Sequence, residues 1–485
     1  MATNKTFYLT TTLPYVNAPL HMGHALEFVR ADTIARYKKM MGYDVFFNTG
    51  TDEHGIKIFN KAKEAGQETQ SFVDAGFEVF KEQLKMFGVS EDVHFIRTTD
   101  SKHQASAQEF WKRVAQNGYI YKKNYEAKYC TGCESEKTDS ELDDNGECPD
   151  HTGRPLELIS EENYFFKYSD FAEKLLDFYE KNPSFVIPEF RFNEMKSFVK
   201  NGLQDFSISR LKTKMPWGVP VPNDPDHVMY VWFDALTNYI STLGWPDENG
   251  DFKKYWVEGN PTQYCGKDNT RFQSAMWQAM LMAVGAPNSR QIIVNGFITA
   301  QGGVKMSKTL GNVVDPREIV EEYGTDALRY FLLGEVGSFE DSPFSAERFK
   351  EAYNAKLSNG IGNLSSRLLT LSEKYLDTEI ILPTVDEIIQ NHKEYFDIYE
   401  TFDLKKAVDY VWGKITVLDK KIQDTEPFKL IKTDEAKGKN LISEMVLELY
   451  NIAVLLGPLL PETSHKIQAF IKENKKPTNP LFLRK

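Results

Sequence analysis

Residues 7–24 read FYLTTTLPYVNAPLHMGH: an apolar run, Phe7-Tyr8-Leu9-Thr10-Thr11-Thr12, followed by Pro19-Leu20-His21-Met22-Gly23-His24. The run predicts a strand, and the residues from about Gly23 to Gly42 carry helical periodicity. A parallel strand that ends at a helix N-terminus attracts anions. His21 and His24, one turn apart at that point, can donate hydrogen bonds to the phosphates of a nucleotide, and Gly23 lets the backbone approach closely.

Working outward, residues 43–48 predict a second strand, amphipathic segments follow through Met86, and residues 93–96 predict a third strand. This alternation points to a parallel sheet covered by helices. From about Tyr119 the pattern changes to short, polar, turn-rich pieces. Strand-like runs resume at 228–233, 262–265 and 291–294, with a helix over about 270–284. The expected fold class is therefore α/β, a Rossmann-like parallel sheet in two halves, 1–118 and 226–315, split by an insertion over 119–225. Beyond Asp315 nearly everything has helical periodicity, punctuated at Pro383, Pro427 and Gly457-Pro458. A connecting helical region, 316–350, and a C-terminal α-helical bundle, 351–485, are expected.

With 485 residues and 41% hydrophobic content the chain can bury two or three cores. No apolar stretch approaches transmembrane length, and the N-terminus runs into a strand without a signal-peptide core, so no membrane partner and a cytoplasmic address are expected. A formal net charge of -12 argues against indiscriminate nucleic-acid binding. Any such binding must use local basic patches and stacking.

Three of the four cysteines cluster, which suits a metal better than a disulfide framework. Cys130 and Cys133 flank Thr131-Gly132, and Cys148 and His151 flank Pro149-Asp150 after a fourteen-residue spacer. Three thiolates and one imidazole fill a tetrahedral zinc shell with no open position, which predicts a structural Zn2+ site. A redox Cys-x-x-Cys pair is the other reading, and it leaves Cys148 and His151 without a role.

A second phosphate-handling stretch lies at Val304-Lys305-Met306-Ser307-Lys308-Thr309. Gly302-Gly303 and Gly311 flank it, giving a loop with the freedom to close over a triphosphate and withdraw. Alone, such a tetrapeptide is equally an ordinary solvated loop. The two stretches together resemble the ATP-binding motifs of the class I aminoacyl-tRNA synthetases. The likeness continues through Leu13-Pro14-Tyr15, Gly50-Thr51-Asp52-Glu53-His54-Gly55, the Cys130–His151 cluster, Tyr230-Val231-Trp232-Phe233-Asp234-Ala235, Gly266-Lys267-Asp268 and Asn363-Leu364-Ser365-Ser366-Arg367. These flanking residues are similar to those of the family's methionine-specific members, and the series is collinear over essentially the whole chain.

The resemblance implies ATP-dependent ligation of methionine to tRNA(Met) through a methionyl-adenylate, with Mg2+ accompanying ATP. It implies catalytic roles for His21, His24, Lys305 and Lys308. It places Gly23, Gly266, Asp268 and Ser307 with them around ATP, and Asp52 on the substrate ammonium. Taken alone, Asp52 also fits a strand-end turn, and Glu53 and His54 fit the support of that turn. The methionine pocket would take Leu13, Tyr15, Trp232, Ala235, Tyr239 and Gln273, since aromatic walls suit a polarizable unbranched side chain. Single aromatics of this kind are also ordinary core residues. Asn363 and Arg367 would share a helix face that reads the anticodon, with Phe428 stacking a base.

Several positions depart from the family's pattern. Gln273 stands where a histidine is usual, Asn269 where isoleucine is common, Phe428 where tryptophan is common, and Thr309 where serine is usual. The insertion is too short for the large editing domain of the valyl, isoleucyl and leucyl relatives. A chain without a C-terminal dimerisation domain is expected to be a monomer. The alternatives are another nucleotidyltransferase and a catalytically inactive tRNA-binding protein.

Overall fold

The structure, a computed structural model, describes residues 5–133, 135–300, 314–376 and 380–485. They fall into two compact units. One lies within Met1–Pro19, Val45–Lys81 and Asp92–Val294, the other within Leu20–Asp44, Glu82–Glu91 and Asn295–Lys485.

The first unit is built on a six-stranded sheet in the order His94–Arg97, Asp44–Thr51, Thr6–Thr10, Thr262–Gly266, Gln291–Asn295, Val186–Ile187. Leu9 pairs with Thr262 and Asn48 with His94, both in parallel register. This is the expected Rossmann-like sheet, and the strands Thr6–Thr10, Thr262–Gly266 and Gln291–Asn295 at its centre are buried over most of their length. Phe110, Trp111, Phe166, Tyr179, Phe233, Trp256 and Trp277 fill one large aromatic core beside it.

Local details differ from the sequence expectations. The strand expected over 43–48 continues to Thr51, carrying pairing up to the Asp52 turn. The run expected as a strand over 228–233 is a strand only at His227–Met229. Tyr230, extended at φ -64 and ψ 134, then caps a short helix, Val231–Ala235, and its carbonyl accepts from Phe233 N at 2.9 Å. Burial of every residue from 227 to 231 made that stretch look like a strand from composition alone. The helix expected over 270–284 is broken into a π segment, Phe272–Met276, and an α-helix, Trp277–Val284.

Between residues 119 and 225 two long strands, Ile120–Cys130 and Glu157–Phe166, pair antiparallel in register from Ile120↔Phe166 to Tyr129↔Glu157. The sequence reads there as polar fragments because a projecting ribbon is held by its backbone ladder and cross-strand pairs rather than by an alternating apolar face. Val186–Ile187, within the same span, pairs in parallel with Ile292–Ile293 at the edge of the main sheet.

The second unit is largely helical. Met22–Met40 ends where Gly42, at φ +78, donates to the Lys39 carbonyl at 2.9 Å, a left-handed stop that glycine adopts without strain. The long helices Leu404–Thr425 and Glu435–Leu455 pack through buried faces that include Val411, Leu418, Met445 and Leu449. Asp32 and Arg329, both fully buried, join at 2.8 Å. No helix among the described residues is long and apolar enough to cross a membrane.

Candidate active site and metal centre

Tyr15 and Asp52 form an isolated parallel bridge, in which Val16 N donates to the Asp52 carbonyl at 3.2 Å and Asp52 N to the Pro14 carbonyl at 3.0 Å. The strand end thus brings a tyrosine and a carboxylate side by side, with Leu13 buried just before them. Glu53 and His54 do support the turn. Glu53 accepts from Arg97 Nε and Nη2 at 2.8 and 2.9 Å and from Thr51 Oγ1 at 2.6 Å, while Trp217 Nε1 donates to its carbonyl at 2.6 Å.

His54 reaches across to the helix that carries Trp232. Its Nδ1 meets Asp234 Oδ2 at 2.6 Å, and His103 Nε2 meets Asp234 Oδ1 at 2.8 Å. Burial pushes the Asp234 carboxyl up, but the His54 charge and the hydrogen bonds from both imidazoles outweigh it and hold the group at about 2. The ionised Asp234 therefore clamps the Asp52 turn to the Val231–Ala235 helix.

Trp232 lies flat on Phe272, ring centroids 3.8 Å apart and planes 4° apart. The next residue, Gln273, is fully buried and donates through Nε2 to Tyr239 Oη, and its Oε1 accepts from Gln263 Nε2 at 2.6 Å. Asn238 Nδ2 donates to the Ala235 carbonyl at 2.6 Å, holding the two short helices together. Gly266 ends a strand and caps the 3-10 turn Lys267–Asn269, where Asp268 is exposed. Leu13, Tyr15, Asp52, Trp232, Ala235, Tyr239 and Gln273 thus all sit on elements that these contacts join within one unit.

His21 and His24 belong to the other unit. They open a 19-residue helix with rings stacked at 3.8 Å. Gly23 N donates to His21 Nδ1 at 3.1 Å and His21 N to His24 Nδ1 at 3.3 Å. A backbone N–H only donates, so in this arrangement each neutral ring carries its proton on Nε2. Lys305, Ser307 and Lys308, with Thr309, lie outside the described residues.

Cys130, Cys133, Cys148 and His151 bring their ligand atoms within 4.8 Å of one another. Cys133 Sγ stands 3.5 Å from Cys148 Sγ and 3.3 Å from His151 Nδ1. A tetrahedral ion with Zn–S bonds of about 2.3 Å spaces its ligands by about 3.8 Å, so the set fits such an ion. Cys265 is a buried strand residue elsewhere.

In the second unit Asn363 is exposed and Arg367 half-buried on the helix Asn363–Tyr375, with Arg367 Nη1 donating to Asp419 Oδ1 at 2.8 Å. Phe428 is 39% exposed on the short helix Pro427–Thr433.

The sequence reading passed over Phe272, His103, Gln263, Gln278 and Ser289. Two of these left a trace: Gln278 is the one polar residue in the helix Trp277–Val284, and Gln263 interrupts a buried strand. A polar group inside an apolar element needs a partner.

A Rossmann-like sheet with this strand-end site is the frame of a class I tRNA synthetase, and the family model "tRNA synthetases class I (M)" matches residues 7–369. The chain is 43% identical over 478 residues to a methionine–tRNA ligase of Caldanaerobacter subterraneus, covering 96% of this chain and 73% of that one. It is 39% identical over 487 residues to the methionine–tRNA ligase of Thermotoga maritima, covering 97% and 76%. Among solved structures, the Mycobacterium tuberculosis methionyl-tRNA synthetase in complex with methionyl-adenylate superposes with a TM-score of 0.88 at 37% identity, over 96% of this chain and 93% of that one. The chain belongs to the methionine–tRNA ligase family.

Proposed function

We propose that this chain activates L-methionine with ATP and transfers it to the 3′ end of tRNA(Met), with its own residues in the following roles. A methionine carboxylate oxygen bonds to the α-phosphorus as the bond to the β-phosphate breaks, and pyrophosphate leaves. The 3′-terminal hydroxyl of the tRNA then attacks the carbonyl carbon, loses its proton, and AMP departs. The first step needs positioning and charge rather than a protein nucleophile.

Asp52 receives the substrate ammonium in a charge-assisted contact, and Leu13, Tyr15, Trp232, Ala235, Tyr239 and Gln273 enclose the side chain. His21 and His24 donate from Nε2 to phosphate oxygens, with Gly23 beside them. Gly266 and Asp268 take the adenosine. Lys305, Ser307 and Lys308 follow the departing pyrophosphate, and Mg2+ accompanies ATP. Cys130, Cys133, Cys148 and His151 hold one structural Zn2+, whose chemistry is confined to cross-linking the insertion. Asn363, Arg367 and Phe428 meet the anticodon, within a division of the chain at 118, 225, 315 and 350. The protein works as a cytoplasmic monomer.

The observation that carries this reading is the continuous set of contacts from Asp52 through His54 and Asp234 to Trp232, Phe272, Gln273 and Tyr239. It links a carboxylate to several aromatic side chains through the buried His54, Asp234 and Gln273, which supports a pocket for an amino acid with a polarizable side chain. Amino-acid-dependent exchange of labelled pyrophosphate into ATP, run across all twenty amino acids, tests it. Exchange with methionine is expected, and its absence overturns the reading.

A further inference from the structure

We infer that a buried polar relay behind the proposed pocket, Gln278–Ser289–Gln263, sets the amide orientation of Gln273 and through it the hydroxyl direction of Tyr239. Gln263, Gln278 and Ser289 are then positioning residues for the choice of amino acid. The inference rests on the reading of Gln273 and Tyr239 as methionine-contacting residues.

The relay is closed to solvent: Gln263, Gln273 and Gln278 are 0% exposed, Ser289 and Tyr239 2%. Its direction is fixed at one end by backbone groups of unambiguous polarity. Ser289 N donates to Gln278 Oε1 at 3.1 Å, and Gln278 Nε2 donates to the Gln273 carbonyl at 2.9 Å. Neither bond survives reversal of the Gln278 amide. Asn288 Nδ2, at 3.1 Å from Gln278 Oε1, reinforces the same orientation. Gln278 Nε2 also donates to Ser289 Oγ at 3.1 Å, so the Ser289 hydroxyl turns its own proton to Gln263 Oε1. Gln263 must then present Nε2 to Gln273 Oε1, at 2.6 Å, and Gln273 must present Nε2 to Tyr239 Oη.

Tyr239 therefore acts as an acceptor toward Gln273, and its proton is directed elsewhere. A thioether sulfur is a weak acceptor, and the methylene that replaces it in norleucine accepts nothing. A relay that keeps the Tyr239 proton turned away from Gln273 favours methionine over its sulfur-free isostere where that proton meets the substrate sulfur.

Gln263→Glu reverses the relay. A carboxylate still accepts from Ser289 but cannot donate to Gln273, so Gln273 turns Nε2 toward it and offers Oε1 to Tyr239, which then spends its proton there. The test is kcat/KM for methionine and for norleucine in pyrophosphate exchange, with KM for ATP measured on the same samples. The norleucine-to-methionine ratio is expected to rise about tenfold, the scale of one lost hydrogen bond. Ser289→Ala, a smaller change to the core, should raise the ratio in the same direction, and Ser289→Thr, which keeps the hydroxyl, should restore it. KM for ATP should stay within about twofold, the precision of such comparisons. Folded variants that lower the melting temperature but leave the ratio unchanged show mere packing and overturn the relay. A wild-type protein that exchanges with no methionine at all overturns the functional reading instead.

Discussion

Gly132 lies so close to His151 that a Cβ on it would stand 2.4 Å from both Cγ and Cδ2 of the imidazole. Only a residue without a side chain leaves the ring where its Nδ1 meets the cysteine sulfurs. Gly132→Ala is expected to rotate His151 out of the ligand set and lower zinc affinity by about 10–100-fold, the usual effect of disturbing a ligand's orientation. Competition with a chromogenic chelator measures this, with Thr131→Ala as the neighbouring control. Equal affinities in the two variants would show that the ring tolerates displacement.

Asp32 and Arg329 make a different kind of claim, on stability. The carboxylate also accepts from Arg36 Nε at 2.7 Å and from Ser90 N and Oγ at 2.8 and 2.7 Å. The guanidinium also donates to the carbonyls of Leu459, Pro458 and Gly88 at 2.9, 3.1 and 3.2 Å. Removing one member of a satisfied buried pair strands the other charge, so Arg329→Met should cost about 3–5 kcal/mol in urea unfolding. Arg329→Lys should rescue little of it, because an ammonium cannot span that fork of carbonyls. A lysine variant as stable as wild type would reduce the interaction to charge alone.

These two cases show what was legible in the chain and what was not. The helix Met22–Met40 could be read because its signals are local: His21 at the cap, Gly42 at the stop. The Cys130, Cys133, Cys148 and His151 cluster could be read because two knuckles each hold their pair at fixed spacing. Asp32–Arg329 could not, since the partners are nearly three hundred residues apart and only folding makes them neighbours. Tyr230 to Ala235 misled because burial makes a strand and a short helix equally apolar. Gln273 could be placed, but the direction of its amide depends on Gln278 and Ser289, which no spacing rule connects to it.

Asp234 gives a pH dependence with a definite sign. Its carboxyl is held at about 2, below the ordinary 3.8. A depressed acid contributes stability that is full above the unfolded value and fades as pH falls from about 4 through about 2, here about 2 kcal/mol. Asp234→Asn removes that contribution. Between pH 7 and pH 3 the wild type should therefore lose more stability than the variant, by about half that figure, since pH 3 lies midway between the two values. Parallel losses in urea titrations at the two pH values would show that the clamp on His54 and His103 does not depend on an ionised Asp234.

Lys308 tests the division of labour proposed for the nucleotide. A cation that follows the leaving pyrophosphate stabilises charge that exists only as the bond to the β-phosphate breaks, so removing it should tax the rate and spare the ground state. Lys308→Ala is expected to slow adenylate formation about 10²–10³-fold in single-turnover quench measurements. Methionine affinity from equilibrium dialysis should change by no more than about twofold, because that contact is uniform between ground and transition states. His21→Ala provides the contrast at the helix start, where the donor proposed at Nε2 would serve ATP throughout, so that its loss should raise KM for ATP along with lowering the rate. Equal losses of methionine affinity and adenylation rate in Lys308→Ala would place the lysine in the ground-state complex, and the loop would then be a binding wall rather than a partner of the departing pyrophosphate.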